Sequence, residues 1–260
     1  MDQTLIEQLG SSLHQALVQR NPIAPLTETY PDLSIEQAYR IQEHMLSHRI
    51  DAGARVIGKK IGVTSKAVMN MLGVFQPDFG YLLSDMVHAD GATVALDTLI
   101  QPKAEGEIAF FLKKDLQGPG VTVADVYAAT EGVMACFEIV DSRIRDWKIK
   151  IQDTVADNAS CGLLVLGEKL VDPRQLDLTT CGMVLELDGE VSVTGSGAAA
   201  LGSPVAAVAW LANQMGALGT PLKAGEIVLS GALAAMVPIS GPCNLRVSIG
   251  GLGSCSVRFA

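Results

Sequence analysis

The hydrophobic repeat of this chain changes length at Arg55, and that change limits the folds open to it. Before Arg55, Leu5, Leu9, Leu13 and Leu17 recur every four residues with Ile6 and Ala16 beside them. This spacing predicts an amphipathic helix over about 4–20, ended by Pro22 and Pro25. Ser34 and Gln37 then form an S-x-x-Q capping box ahead of a second helix. Its buried side is Ala38, Ile41, Met45 and Leu46, and Gly53 stops it. After Arg55 short segments with strand character dominate. RVIGKKIGVT reads as a glycine-broken strand, followed by a short helix capped by Thr64 or Ser65 and ending at Gly73. EGEIAFFLKK and MACFEIVDSR read as strands, with a helix between them capped by Thr122 and Asp125 and closed at Gly132. Asp188-Gly189 is the turn of a hairpin, and Ser203-Pro204 opens a helix to about Met215. EIVLSG and NLRVSIGGLGSCSVRF close the chain as strands. The expected class is α+β: an N-terminal helical segment over 1–54, then a mixed or mostly antiparallel β-rich core over 55–260 as one structural unit.

Charge narrows the partners. The 260 residues carry 19 Lys+Arg against 28 Asp+Glu, a net charge of −9. That argues against nucleic acid and against an anionic membrane surface. Val191 to Leu222 is uncharged but is interrupted by glycines, Pro204, Asn213 and Gln214, so it reads as a loop plus a buried helix and not as a bilayer span. The five cysteines show no C-x-x-C spacing, which predicts a reducing, cytoplasmic setting without disulfides or zinc. His44 and His48 lack the H-E-x-x-H glutamate and read as surface-helix residues. No histidine follows Ser196, which excludes a Ser…Asp…His hydrolase order, and no Walker A loop is present.

The candidate chemistry lies in acids placed among apolar residues. Glu105 and Glu107 share one face of a strand, about 7 Å apart between Cα atoms. They need a proton, a basic partner or a cation, unless that end of the strand is simply wet. Glu138 interrupts the apolar run CFEIV. It reads either as a salt-bridge residue, with Arg143 or Lys150, or as a third ligand beside the first two. Three carboxylates without His or Cys are hard oxygen donors that suit Mg²⁺ or Mn²⁺. Lys59 and Lys60 sit in VIGKKIGVT, where alternation turns one inward, as a charge clamp or proton donor, unless both lie on a wet edge. Asp78 in QPDFGY is either a turn residue or a site acid, and the run from Asp153 to Ser160 offers turn polarity or substrate hydrogen bonds.

GKKIGVTSKAVMNMLGVFQPDFGYL (58–82), EGEIAF (105–110), CFEIVDSRIRDWKIKIQDTVADNASCG (136–162) and GAAALGSPVAAVAWLAN (197–213) together resemble the hydratases of meta-cleavage aromatic degradation. These share a larger group with the fumarylacetoacetate hydrolase C-terminal fold. The resemblance spans essentially the whole chain. It implies a distorted, mixed β-barrel-like core with flanking helices. It implies Mg²⁺ or Mn²⁺ held by Glu105, Glu107 and Glu138, a family lysine at Lys60, an acid at Asp78, and substrate-side serines at Ser160 and Ser230. The implied reaction is hydration of 2-hydroxypenta-2,4-dienoate to 4-hydroxy-2-oxopentanoate, with a 2-hydroxy-dienoate or 2-oxo acid as the small-molecule substrate. The sister 4-oxalocrotonate decarboxylases are similar in length and segments, but they tend to carry an apolar residue where this chain has Asp78. Decarboxylation of 4-oxalocrotonate is therefore the alternative, and a non-catalytic partner subunit of the decarboxylase a second one. The resemblance also implies a homo-oligomer and a complex with the decarboxylase.

Overall fold

The computed structural model describes the backbone of residues 1–260 and every side chain except those of Ala67, Met71 and Leu72. Helix α1 (Gln3–Gln19) starts at Asp2, whose side chain accepts from the Leu5 N–H, and helix α2 (Leu26–Thr29) is one short turn. Helix α3 (Ile35–Asp51) carries the predicted capping box of Ser34 and Gln37. The apolar stripes of α1 and α3 meet in one buried cluster that includes Ile6, Leu13, Ile41 and Met45. His44 and His48 sit on α3 facing α1, with Ser11 Oγ 3.1 Å from each Nε2 atom.

Strand β1 (Val56–Gly62) ends where Val63 turns to a left-handed φ of 56°. Ser65 caps α4 (Lys66–Leu72), and Gly73 closes it in the left-handed region. There follow β2 (Asp78–Leu83), β3 (Val87–Ala89), β4 (Ala92–Val94) and β5 (Pro102–Leu112). Thr122 and Asp125 cap α5 (Val123–Ala129). That helix stops before the expected Gly132, which lies inside β6 (Thr130–Asp141). The Leu170 side chain covers Gly132 closely, with Cγ 2.5 Å from where a Cβ would stand, so this glycine serves packing and not helix termination. Helix α6 (Ile151–Ala156) precedes β7 (Cys161–Leu166), β8 (Gly182–Leu187) and β9 (Glu190–Ser196). Helix α7 (Pro204–Ala217) leads to β10 (Ile227–Leu229), β11 (Val237–Pro238), β12 (Cys243–Ile249) and β13 (Gly253–Phe259).

Two sheets result. The larger runs β2-β1-β10-β5-β6-β7-β3, with β11 paired to β5. It is mixed: β1 is parallel to β10, and β5 is antiparallel to both β10 and β6. The smaller sheet runs β4-β13-β12-β8-β9 and is closed at one end by the Asp188-Gly189 hairpin. The large sheet curls into a half-barrel with the helices α1 and α3 at the N-terminus, the expected α+β class. Its principal core joins Phe110, Phe137 and Val165 to Val247, Phe259 and the buried face of α7. The α1–α3 cluster also takes in Ile151 and Val155 of α6, so the N-terminal helices pack directly on the element that leads into Ser160.

Candidate functional site

The inner face of the half-barrel collects the acids. Antiparallel register sets Glu105 of β5 directly opposite Glu138 of β6, and Glu107 opposite Cys136. Like charges facing each other across a strand pair are unfavourable, the more so when buried. Glu107 and Glu138 are completely buried and Glu105 is half-buried. The wet-strand reading of Glu107 therefore fails. Ligand oxygens of all three glutamates lie within 4.8 Å of one another. Glu107 Oε1 and both oxygens of Glu138 are buried without a hydrogen-bond partner. The backbone aims the remaining oxygen: the Gly231 N–H donates to Glu107 Oε2 at 2.8 Å. Gly231 has a φ of 101°, and a Cβ there would stand 2.4 Å from Thr64 Cγ2, so both conformation and space require glycine.

Lys60 comes from β1, three strand spacings from β6, about 14 Å on a flat sheet. The curl and two long side chains close that gap, and Lys60 Nζ lies 3.2 Å from Glu138 Oε1. Neither Arg143 nor Lys150 partners Glu138. Arg143 is committed to Asp157, with its guanidinium also donating to the Asp141, Asp157 and Cys161 carbonyls. Alternation does turn Lys59 to the other face, where it is also buried and donates to both carboxylate oxygens of Glu226 at 2.8 and 2.9 Å.

Asp78 begins β2, paired with Gly62 at the end of β1. Both of its carboxylate oxygens are buried and unpartnered. A Cβ on Gly62 would stand 2.2 Å from Asp78 Oδ1 and 3.3 Å from Lys60 Nζ. The acid and the ammonium thus flank one small space that only a glycine leaves open.

Burial dominates the electrostatics of the acids. It pushes the Asp78 carboxyl up to about 6, with Lys60 offsetting part of the effect. It pushes Glu105 up to about 7, helped by Glu138, and Glu107 well above the usual carboxylate range with both neighbours contributing. Burial works against the Lys60 ammonium, yet Glu138, Asp78 and Glu105 together hold its pKa above the ordinary lysine value. Glu105 and Glu107 resist ionisation on their own, and buried Glu107 and Glu138 oxygens without hydrogen bonds gather with Glu105 within 4.8 Å of one another, an arrangement that fits a divalent cation bound by hard oxygen donors.

Beside these groups opens a cavity of about 490 Å³. Lys60, Asp78, Glu105 and Ser160 line its polar part, while Val68, Val140, Trp147, Ile149 and Met236 are among its apolar walls. Lys60 is the single cationic side chain in that lining among the described residues. Ser160 stands in a run of three left-handed residues, Asn158, Ala159 and Ser160, with φ of 54°, 49° and 54°. Its Oγ is 3.1 Å from Thr154 Oγ1 on α6. Ser230 is buried between the β10 strand and Gly231, its N–H donating to the Ile108 carbonyl and its Oγ unpartnered, and it is absent from the cavity lining. The sequence reading missed the helix α6, the Arg143–Asp157 pair, and Tyr39 and Gln42 of α3, which contact the strand of Asp78. A signal for Gln42 was present: a polar residue on the same helical face as Ala38, Met45 and Leu46.

Comparison with known proteins agrees with this geometry. The fumarylacetoacetate (FAA) hydrolase C-terminal family matches residues 59–260. A 2-hydroxypent-2,4-dienoate hydratase of Pseudomonas putida is 66% identical over 220 residues, covering 84% of this chain and 99% of its own length. A 2-hydroxyhexa-2,4-dienoate hydratase of Comamonas testosteroni is 56% identical over 260 residues, covering 99% and 98%. Among solved structures, the 4-oxalocrotonate decarboxylase from Pseudomonas putida G7, complexed with magnesium and adipate, superposes with a TM-score of 0.97 at 35% identity, covering 100% of this chain and 99% of that one.

Proposed function

Because the chain belongs to the fumarylacetoacetate hydrolase C-terminal family, we propose that it is a divalent-metal-dependent hydro-lyase that hydrates 2-hydroxypenta-2,4-dienoate to 4-hydroxy-2-oxopentanoate. The observation that carries this reading is the convergence of Glu105, Glu107 and Glu138, with Glu105, Lys60 and Asp78 lining a largely apolar cavity. Mg²⁺ or Mn²⁺ held by the three glutamates supplies Lewis-acid polarisation of a 2-oxo acid.

The chain's own groups then divide the work. Lys60, kept charged by its acidic neighbours, pairs with the negative charge that the substrate brings and accumulates. Overall, the enol proton leaves, one proton is gained at C5, and water adds its hydroxyl at C4 and its proton at C3. Asp78, its carboxyl pushed up to about 6 by burial, takes a proton from the water and returns one to carbon. Ser160, held by Thr154, offers a hydroxyl to the substrate from the polar lining of the cavity. Ser230 contributes by seating Gly231 under Glu107. The apolar walls take the hydrocarbon tail.

The decarboxylase reading draws on the backbone match to the magnesium-bound relative. The lining argues against it, since 4-oxalocrotonate carries a second carboxylate and Lys60, the single cation in the lining among the described residues, is taken by the charge at the reacting end. Offering each substrate to chelator-treated protein with and without Mg²⁺ tests both. Metal-dependent loss of the dienoate with formation of the hydroxy-oxo acid supports the hydratase, and CO₂ release from 4-oxalocrotonate overturns it. No helix among the described residues is long and apolar enough to cross a membrane. We place the enzyme in the cytoplasm as a homo-oligomer that can associate with the decarboxylase. Sizing of the purified protein, alone and mixed with that partner, tests the assembly.

A further inference from the structure

Strand β2 is an edge strand of the large sheet, yet the outward N–H and C=O groups of its residues 79 and 81 are not left open. On α3, the Tyr39 hydroxyl accepts from the Phe79 N–H at 3.3 Å, and Gln42 Nε2 donates to the Phe79 carbonyl at 3.1 Å. Two residues on, the Asn158 side chain accepts from the Tyr81 N–H at 2.8 Å and donates to the Tyr81 carbonyl at 2.9 Å. Side chains thus take the place of a neighbouring strand. The Tyr39 ring also stacks on Phe79, with centroids 4.3 Å apart. Residues 39 and 42 are one turn apart and reach the same peptide together.

Gln42 does more than cap the edge. It is fully buried, and its amide donates a second time, to the Val155 carbonyl of α6 at 2.9 Å. Val155 adjoins Thr154, whose hydroxyl contacts Ser160. One amide therefore ties the strand of Asp78 to the helix that holds Ser160, and both of these residues line the cavity. Its Oε1 is buried without a partner, a cost that packing alone would avoid with an apolar side chain.

We propose that Gln42, assisted by Tyr39, is a positioning residue for the hydration. By this assignment the N-terminal helices, which lie outside the matched family segment, set the spacing between Asp78 and Ser160. The inference rests on the reading of Asp78 and Ser160 given above. The test uses the full chain loaded with Mg²⁺. Gln42→Met keeps the volume and removes both donated hydrogen bonds. Its kcat falls about tenfold or more, with KM changed less than about threefold and Mg²⁺ affinity unchanged. Tyr39→Phe keeps the stacked ring, loses the acceptor, and moves kcat in the same direction by a smaller factor. In an Asp78→Asn background, Gln42→Met has little further effect on kcat, because it acts through a group already removed. A Gln42→Met protein that melts earlier yet keeps full kcat, or one whose loss multiplies independently with that of Asp78→Asn, overturns the inference. If Gln42→Met does not fold, Tyr39→Phe at full kcat overturns it. Asp78→Asn at full rate removes Asp78 from the reaction and this inference with it. An impaired Asp78→Asn beside a fully active Gln42→Met defeats the positioning role alone.

Discussion

Lys60 Nζ lies 3.2 Å from Glu138 Oε1, and both side chains are sealed from solvent although three strand spacings separate their backbones. The lysine is thus part of the acid cluster's own charge balance and also its face toward the cavity. Lys60→Met leaves the glutamates in place and removes the cation. We expect kcat/KM to fall by about 100-fold or more while Mg²⁺ still binds, because a charge complementary to the developing anion is lost. Steady-state kinetics and a metal titration on the same sample check this, and a variant within a few-fold of the parent would take Lys60 out of the reaction.

Glu107 is completely buried and is aimed by the Gly231 N–H. Glu107→Gln keeps the shape and the ability to accept that hydrogen bond, but removes a charge. We expect the variant to fold, to bind Mg²⁺ at least about tenfold more weakly, and to show no turnover at ordinary metal concentrations. Circular dichroism together with a calorimetric metal titration separates loss of metal from loss of fold.

The raised pKa values of Glu105 and Glu107 set the sign of a pH effect. A carboxyl whose folded pKa lies above its unfolded value contributes stability below the unfolded pKa, and that contribution is lost as pH rises through the folded pKa. For Glu105 the window runs from the ordinary range near 4.5 up to about 7. Chelator-treated protein should therefore lose stability across that interval. Added Mg²⁺ should reverse the loss, and its affinity should grow with pH as fewer protons must be displaced. Melting temperatures at several pH values, with and without Mg²⁺, decide the matter. A metal-free protein that gains stability over this interval would contradict it.

The apolar walls predict a preference. Val68, Val140, Trp147, Ile149 and Met236 offer nothing to a charged tail. A carboxylate stranded there costs several kcal/mol. We expect dienoates ending in hydrogen or methyl to be turned over, and dienoates ending in carboxylate to lose at least about 100-fold in kcat/KM. Competition between the two substrate types measures this directly.

Much of this arrangement was legible in the sequence because it is local. Period-two spacing put Glu105 and Glu107 on one face, Gln37 three residues after Ser34 announced the capped start of α3, and Asp188-Gly189 announced the hairpin. The partner of Glu138 was not legible. Arg143 and Lys150 are near in sequence, but the pairing is decided by sheet order, which brings β1 within reach of β6 through the curl. Gly132 misled for a similar reason. A glycine after a helical stretch resembles a stop, whereas here it yields space to Leu170 from a distant segment. Gln42 was hidden because one polar residue on a buried helical face does not say what it bridges.

The hold of Gly231 on Glu107 has a consequence for how the protein can change over generations. A carboxylate steered by another side chain can be re-aimed by one substitution in its partner. Here the steering group is a peptide N–H, carried by every residue except proline, at a position where a left-handed φ and the nearness of Thr64 reject any side chain. Drift in the surrounding sequence can reshape the cavity and its choice of tail, but the direction of Glu107 is inherited with the path of the chain itself.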